Sequence, residues 1–311
     1  MTIPNNLVPA HIKTATSITM VNDHHGMCLV IQNKNAQAKI SLFGAHVLSF
    51  TPAVDNRERL WLSNKAVFDG RTPIRGGIPI CWPWFAAYSS SQFAHPLQEK
   101  SLPSHGFART QYWQLVDVSE MRSGDIVESS TLVFEPTELA LHGVSKHLCV
   151  KLKVEISNTL RLDLITTNKG QEPLEITQAL HSYFKVPNIK SIQVTGIEED
   201  YDDKPTQTSD NKTAKPYTIQ GEVDRIHRRT KNDTLSRQTA AIICKKLGNI
   251  VDITNIEHDS VVVWNPWSEK SQQMIDMTDT GYASMLCIEA ANTTPRCIDA
   301  NDSVTLSQVI Q

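Results

Sequence analysis

The chain predicts an all-β fold, a large antiparallel sandwich with a few short peripheral helices, and three observations carry that reading. The first is strict alternation. Val150, Leu152, Val154 and Ile156 interleave with Lys151, Lys153 and Glu155, and Leu160, Leu162 and Leu164 interleave with Arg161 and Asp163. A period of two with one apolar and one charged face describes a hairpin in a sheet wetted on one side, and Ser157-Asn158-Thr159 supplies the turn. The second is the recurrence of short strand-like runs along the whole chain. The third is the lack of any 3.6-residue apolar stripe beyond a turn or two, which disfavours alternating β-α-β units.

In chain order, the strand-like runs fall at 39–43, 46–50, 130–134, 150–156, 160–164, 192–194, 260–264, 285–289 and 304–310. Two stretches interrupt them, an acidic, Thr- and Lys-rich segment at 198–217 and a basic one at 224–238, and both read as surface loops. A prior of roughly 150 residues per domain would divide 311 residues in two, but sandwiches often run longer as one unit. No fixed-period repeat occurs, and no apolar segment after 238 is long enough for a small domain of its own. One sandwich domain spanning 1–311 is the simplest account.

Charge and cysteine usage narrow the classes of function. With 30 Lys+Arg against 33 Asp+Glu, the net charge is −3, and no broad cationic surface is available to neutralise a phosphate backbone. Nucleic acid is therefore not expected as a partner, and an anionic ligand must be held by a few local cations. No apolar run approaches the roughly 18 residues that would suggest a membrane span, and the first residues lack a cationic segment followed by an apolar one. Cys28, Cys81, Cys149, Cys244, Cys287 and Cys297 are scattered without a C-x-x-C pair. They read as small buried hydrophobes in a reducing, cytoplasmic protein, with neither disulfide framework nor metal cluster.

Four segments can carry chemistry. Pro73-Ile74-Arg75-Gly76-Gly77-Ile78-Pro79-Ile80-Cys81-Trp82-Pro83-Trp84-Phe85 holds three prolines and two glycines, so its backbone must follow an irregular path. It either puts its rings in the core and Arg75 in solvent, or sets a guanidinium beside aromatic faces, as a sugar phosphate requires. In Ser104-His105-Gly106-Phe107-Ala108-Arg109, a histidine and an arginine share a Pro-marked loop, where solvated or satisfied side chains are the ordinary outcome. His181, within Gln178-Ala179-Leu180-His181-Ser182-Tyr183-Phe184, lies in an apolar, aromatic run and needs a hydrogen-bond partner if buried. Glu289 ends the apolar run Met285-Leu286-Cys287-Ile288, which is costly unless the carboxylate is paired or faces a cavity. His24-His25 reads as a turn, and His227-Arg228-Arg229 as a solvated loop face. Walker loops, G-x-G-x-x-G and G-x-S-x-G elbows are absent.

Taken in order, Phe43-Gly44-Ala45-His46-Val47-Leu48-Ser49-Phe50, Leu60-Trp61-Leu62-Ser63, RGGIPICWPWF, HGFAR, HSYF, VWNPW and CIEAAN resemble the galactose mutarotase (aldose 1-epimerase) superfamily, and within it the glucose-6-phosphate 1-epimerase branch. The resemblance spans most of the chain. It implies a β-supersandwich, no cofactor and no metal, and interconversion of the α and β anomers of a D-hexose 6-phosphate. It also implies His181 as general acid, Glu289 as general base, Arg75 and Arg109 as substrate contacts, His105 as a wall of the sugar site and Asp224 as an acidic substrate-binding position. Ser104 departs from the pattern, standing where related enzymes often carry glutamine. Ring opening requires the anomeric hydroxyl to lose a proton while the ring oxygen gains one, and a carboxylate and an imidazolium on opposite sides of the anomeric carbon suffice. A neighbouring carboxylate is expected to hold His181 charged near neutral pH, and Arg75, Arg109 or both to hold the phosphate. The expected partner is a small-molecule sugar phosphate and the expected state a monomer. Two alternatives stand beside this reading: a free-aldose mutarotase, and a non-catalytic carbohydrate-binding protein.

Overall fold

The computed structural model describes residues 7–8, 15–89, 93, 102–138, 146–229 and 237–311. Strands β1 (Ile18–Asp23), β2 (Gly26–Gln32), β3 (Ala36–Ser41) and β4 (His46–Pro52) form a four-stranded meander in chain order. The short β5 (Ile80–Cys81) follows within the proline-rich segment. Next come β6 (Trp113–Ser123), β7 (Ile126–Pro136), β8 (Leu148–Ile156), β9 (Leu160–Asn168), β10 (Leu174–Leu180), β11 (Tyr183–Lys185) and β12 (Ile192–Thr195). The chain continues through β13 (Tyr201–Asp203), β14 (Thr208–Asn211), β15 (Val223–Arg228), β16 (Arg237–Cys244), β17 (Gly248–Ile256) and β18 (Ser260–Asn265). A single α-helix among the described residues, α1 (Trp267–Gln273), precedes β19 (Met285–Ile298) and β20 (Ser303–Ile310).

These strands make two further sheets, each eight-stranded. One runs β12-β16-β17-β20-β9-β8-β7-β6; the other runs β14-β13-β15-β18-β19-β10-β5, with β11 also paired to β19. The alternating hairpin lies in the first of these, with Ile156 opposite Leu160 and Leu152 opposite Leu164. Its apolar side chains are fully buried, each contributing about 1.5–3 kcal/mol by leaving water. They join a single apolar cluster with Leu29 and Phe50 of the meander and Val263 and Ile288 of the other sheet. No helix among the described residues is long and apolar enough to cross a membrane.

Two expectations need correction. The stretches at 198–217 and 224–238 are not simply loops: β13, β14 and β15 lie in them, with Tyr201 opposite His227 and Asp203 opposite Arg225. Of the basic cluster, Arg228 is exposed as a solvated face requires, but His227 is not. The His227 ring is fully buried, with Nε2 2.9 Å from the Tyr217 hydroxyl and Nδ1 3.0 Å from the Glu199 carbonyl oxygen. Arg225 lies 4.6 Å from the centre of the Tyr201 ring and donates to Asp203. Polar pairs rather than alternating apolar residues hold this part of the sheet, and so period-two reasoning passes over it. Among the cysteines, Cys28, Cys81, Cys244 and Cys287 are buried, but Cys149 is half-buried and Cys297 exposed.

The central sheet is interrupted where the chemistry sits. Strand β10 ends with Leu180 opposite Ala290 of β19, and β11 resumes with Tyr183 opposite Cys287. His181 and Ser182 fill the gap. Pro79 takes the His181 N–H, Leu180 the Ser182 N–H and Gly77 the Tyr183 N–H, and Ser182 accepts from Ile288, so the N–H groups at the break are all hydrogen-bonded.

Candidate active site

That break brings the two candidate catalytic residues together. Glu289 points from the middle of β19, opposite Val262 of β18, and its side chain is 1% exposed. His181 Nε2 lies 3.3 Å from Glu289 Oε1, with the imidazole 12% exposed and thus the part of the pair that a ligand reaches first. His181 Nδ1 and Glu289 Oε2 are buried without a protein partner.

Aromatic rings fix the imidazole. Tyr183 stacks on it at 4.9 Å between centroids and 14° between planes, while Trp264 and His105 meet it edge-on at 6.0 and 5.8 Å. Trp61 stacks on Tyr183 in turn, at 6.0 Å. Beyond Tyr183 lies Arg75, which donates from Nη1 to the Tyr183 hydroxyl at 3.0 Å and from Nε to Asp276 at 3.1 Å. The aromatic neighbour of Arg75 is therefore Tyr183 rather than the tryptophans of its own loop, which turn inward. Trp82 is buried and donates to Thr166, and Trp84 is buried and donates to the Pro103 carbonyl.

Glycine explains the unusual path of the Arg75 segment. A Cβ on Gly77 would lie 2.3 Å from the Val47 carbonyl oxygen and 2.8 Å from His46 Nε2. The buried His46 ring donates from that same Nε2 to the Gly76 carbonyl at 2.7 Å. Packed this closely, the segment leaves no freedom to the guanidinium it presents.

His105 sits at φ +64° on the far side of His181, and its Nδ1 accepts from the Ala86 N–H at 3.2 Å. Arg109 follows in the 3₁₀ turn Ala108–Thr110. Its Nη2 donates to the Ser104 carbonyl at 2.8 Å, and its Nε is buried without a protein partner. Ser104 is exposed, and its backbone carbonyl is what positions Arg109. Asp224, on β15 opposite Trp264, pairs with Lys204 at 3.4 Å, and the Lys204 ammonium lies 5.4 Å from the centre of the Phe85 ring.

Burial governs the protonation of the pair. It raises the Glu289 carboxyl well above its ordinary range, reinforced by the negative charge of Asp224. Burial also presses His181 well below its ordinary value, and His105, Arg109 and Arg75 push the same way. The expectation that the carboxylate holds His181 charged is thus opposed by the dry surroundings, which disfavour charge on both partners. His105 is pressed to about 3, chiefly by burial, and is neutral at physiological pH.

All six residues expected from the sequence converge. His181, Glu289, His105 and Arg75 are linked by direct contacts or stacked rings, and the charges of Arg109 and Asp224 act on the pair. Sequence reasoning missed Tyr183, Trp264, Lys204 and Asp276. Tyr183 carries a signal, two residues after His181 in the same strand-like run, whereas Asp276 lies 201 positions from the arginine it holds.

An antiparallel sandwich with a buried carboxyl–imidazole pair walled by aromatic rings defines a candidate acid/base site. The chain belongs to the aldose 1-epimerase family, whose profile matches residues 27–310. It is 32% identical over 271 residues to an Escherichia coli K12 protein named "Putative glucose-6-phosphate 1-epimerase", covering 85% of this chain and 82% of that one. A protein of the same name from Cenchrus ciliaris is 31% identical over 267 residues, covering 83% and 75%. The structure of a "putative mutarotase" from Salmonella typhimurium superposes with a TM-score of 0.80 at 28% identity, covering 96% of this chain and 94% of that one. A galactose mutarotase-like protein from Clostridium acetobutylicum shares the fold, with a TM-score of 0.70 at 14% identity over 94% and 97% of the two chains.

Proposed function

We propose that this epimerase interconverts the α and β anomers of D-hexose 6-phosphates, the glucose-6-phosphate 1-epimerase reaction, with Glu289 as base and His181 as acid. The observation that carries the proposal is the 3.3 Å contact between the two side chains. The anomeric hydroxyl and the ring oxygen are bonded to one carbon, so groups that stand side by side can serve both. This arrangement differs from the opposed placement expected from the reaction alone. Glu289 takes the hydroxyl proton, His181 protonates the ring oxygen and the ring opens to the aldehyde. Rotation about the C1–C2 bond presents the other carbonyl face, and both protons return on closure.

Both catalytic groups hold one proton between them, either on the carboxyl or on the imidazole. Since burial disfavours separated charges in the empty pair, the reactive carboxylate–imidazolium form is stabilised by the polar hydroxyls of a bound sugar. For the phosphate, Arg75 has Nε and Nη1 engaged by Asp276 and Tyr183, which aim its remaining nitrogen, and Arg109 is close enough for its charge to act on both His181 and Glu289. The names of the relatives support the 6-phosphate. A free-aldose reading has one observation in its favour: Asp276 already neutralises Arg75.

NMR exchange between anomers of glucose, mannose and galactose 6-phosphates, with the free sugars as controls, tests the substrate. Faster exchange on the phosphorylated sugars is expected; equal or faster exchange on free glucose refutes the phosphate assignment. Arg75→Ala is expected to raise KM for glucose 6-phosphate far more than for glucose, and equal effects on both would remove Arg75 from phosphate binding.

A further inference from the structure

We infer that the acid/base centre is also a capture site for a thiophilic divalent cation, zinc above all, held by His181 Nε2, Glu289 and Cys287 Sγ, and that occupation switches the centre off. The inference does not depend on which sugar is turned over. The ligand atoms of His181, Cys287 and Glu289 all lie within 4.8 Å of one another. Cys287 and Glu289 are two residues apart on β19, and alternation sends both side chains to the same face of the strand.

The geometry suits a tetrahedral ion. With zinc about 2.0–2.1 Å from nitrogen and oxygen, the edge between those ligands is about 3.3 Å, which is the separation already present between His181 Nε2 and Glu289 Oε1. A zinc–sulfur bond of about 2.3 Å asks for an edge of about 3.6 Å to the thiolate. The thiol therefore needs to close by no more than about 1.2 Å on either ligand, within reach of a side-chain rotation. A second observation points to a ligand at this place: Glu289 is 1% exposed, and its Oε2 has no protein partner. Three protein ligands and one open position are how a protein holds zinc with room for water or a sugar oxygen. On binding, the Cys287 thiol proton leaves to solvent and sulfur enters as thiolate. Neither His181 nor Glu289 can then exchange a proton with substrate.

Asp23, His24 and His25 also bring three ligand atoms within 4.8 Å, but a lysine lies among them, Lys39 Nζ being 2.6 Å from Asp23 and 2.8 Å from His25. A cation already fills that cluster. Among the described residues no lysine is hydrogen-bonded to His181, Cys287 or Glu289, and the three ligands are of mixed hard and soft character, as zinc prefers.

The test uses the whole protein, zinc chloride and cobalt chloride, with Cys287→Ala and Cys287→Ser as variants. Zinc is expected to inhibit anomer exchange, competitively with sugar and reversibly on adding EDTA. Loss of the sulfur ligand should raise the inhibitory zinc concentration by at least about 100-fold, the upper end of what losing a mere hydrogen-bond partner of a ligand costs, while leaving turnover without metal unchanged. Cobalt should give a sulfur-to-metal absorption band with wild-type protein and none with either variant. That readout needs no turnover, so it stands even if the substrate reading fails. Absence of inhibition in wild type, equal inhibition of the variants, or a cobalt spectrum without the sulfur band would each overturn the site. Cys287→Ser keeps the side-chain shape more nearly and serves if Cys287→Ala folds poorly.

Discussion

Replacing Gly106 by alanine probes how the histidine loop is tied to the arginine loop. Gly106 has φ +69°, and the Cβ of an alanine there would lie 1.9 Å from the Trp82 carbonyl oxygen, 2.3 Å from its carbon and 2.8 Å from the Pro83 nitrogen. None of these atoms belongs to a flexible side chain, so two backbone segments must separate by about 1 Å or more to restore ordinary contact. Three hydrogen bonds span that junction: Phe107 N–H and Ala108 N–H to the Trp82 carbonyl, at 2.9 and 3.3 Å, and Trp82 N–H to the His105 carbonyl, at 3.3 Å. The left-handed conformation costs an alanine about 1–2 kcal/mol, and each weakened hydrogen bond about 1 kcal/mol. The sum is about 4 kcal/mol. With an unfolding entropy of about 2.1 cal/mol/K per residue, a chain of 311 residues should lose about 6 °C in Tm. Calorimetry measures the shift directly, and anomer exchange on the folded variant should fall as well, because His105 moves away from His181. A Tm within 1 °C of wild type would refute the claim that this glycine joins the two loops.

Glu289→Gln and His181→Asn should each lower kcat by about 10²- to 10⁴-fold, the usual contribution of a positioned acid or base. Glu289→Gln should leave the unfolding midpoint unchanged or raised, since it removes a buried carboxyl whose ionised form is disfavoured; full activity in either variant would refute the acid/base pairing. Acid should unfold the protein well before its carboxylates titrate. His46, His227 and His258 are buried and pressed to about 4, whereas in the unfolded chain each returns to about 6.5. Between those values the unfolded chain binds more protons, so stability is full above pH 6.5 and falls as pH drops toward 4, by up to about 3 kcal/mol per histidine. Glu289, held protonated by burial, has the opposite sign and softens the loss. Urea midpoints measured from pH 7.5 to 4.5 should decline throughout the lower half of that range, and a flat profile would show that these rings are charged in the folded state.

Much of the fold is legible where one face of a strand meets water. At β8 and β9, burial alternates along each strand because the pleat does, and the sequence records it residue by residue. Strand β18 is buried at every position and shows as a short apolar run. By contrast, β13 is Tyr-Asp-Asp and β15 mixes charged and apolar residues without alternation. What makes them strands is pairing, β13 with β14 and β15 and β15 in turn with β18, together with the hydrogen bonds of His227 and the ion pair of Arg225. Local composition has no access to such partners. The same limit applies at the site. His181 and Glu289 stand out as polar residues in apolar runs, whereas Asp276 belongs to an ordinary polar loop after α1 and gains its role only because Arg75 arrives beside it.

The interrupted strand explains why an acid/base pair can exist within this sheet at all. Had β10 continued through residues 181 and 182 into β11, its residues would have paired with β19 without a gap, and their side chains would have alternated between the two packed faces. Instead, the chain leaves the ladder at Leu180, lets His181 and Ser182 pass opposite Ile288 and Glu289, and rejoins at Tyr183. Pro79 and Gly77 take the N–H groups released on either side of the break, so the interruption costs little hydrogen bonding. The same proline–glycine segment delivers Arg75 to Tyr183. One irregular stretch therefore stabilises the break and supplies the cation beyond it, which ties the acid/base pair and its neighbouring arginine to a single local event in the fold.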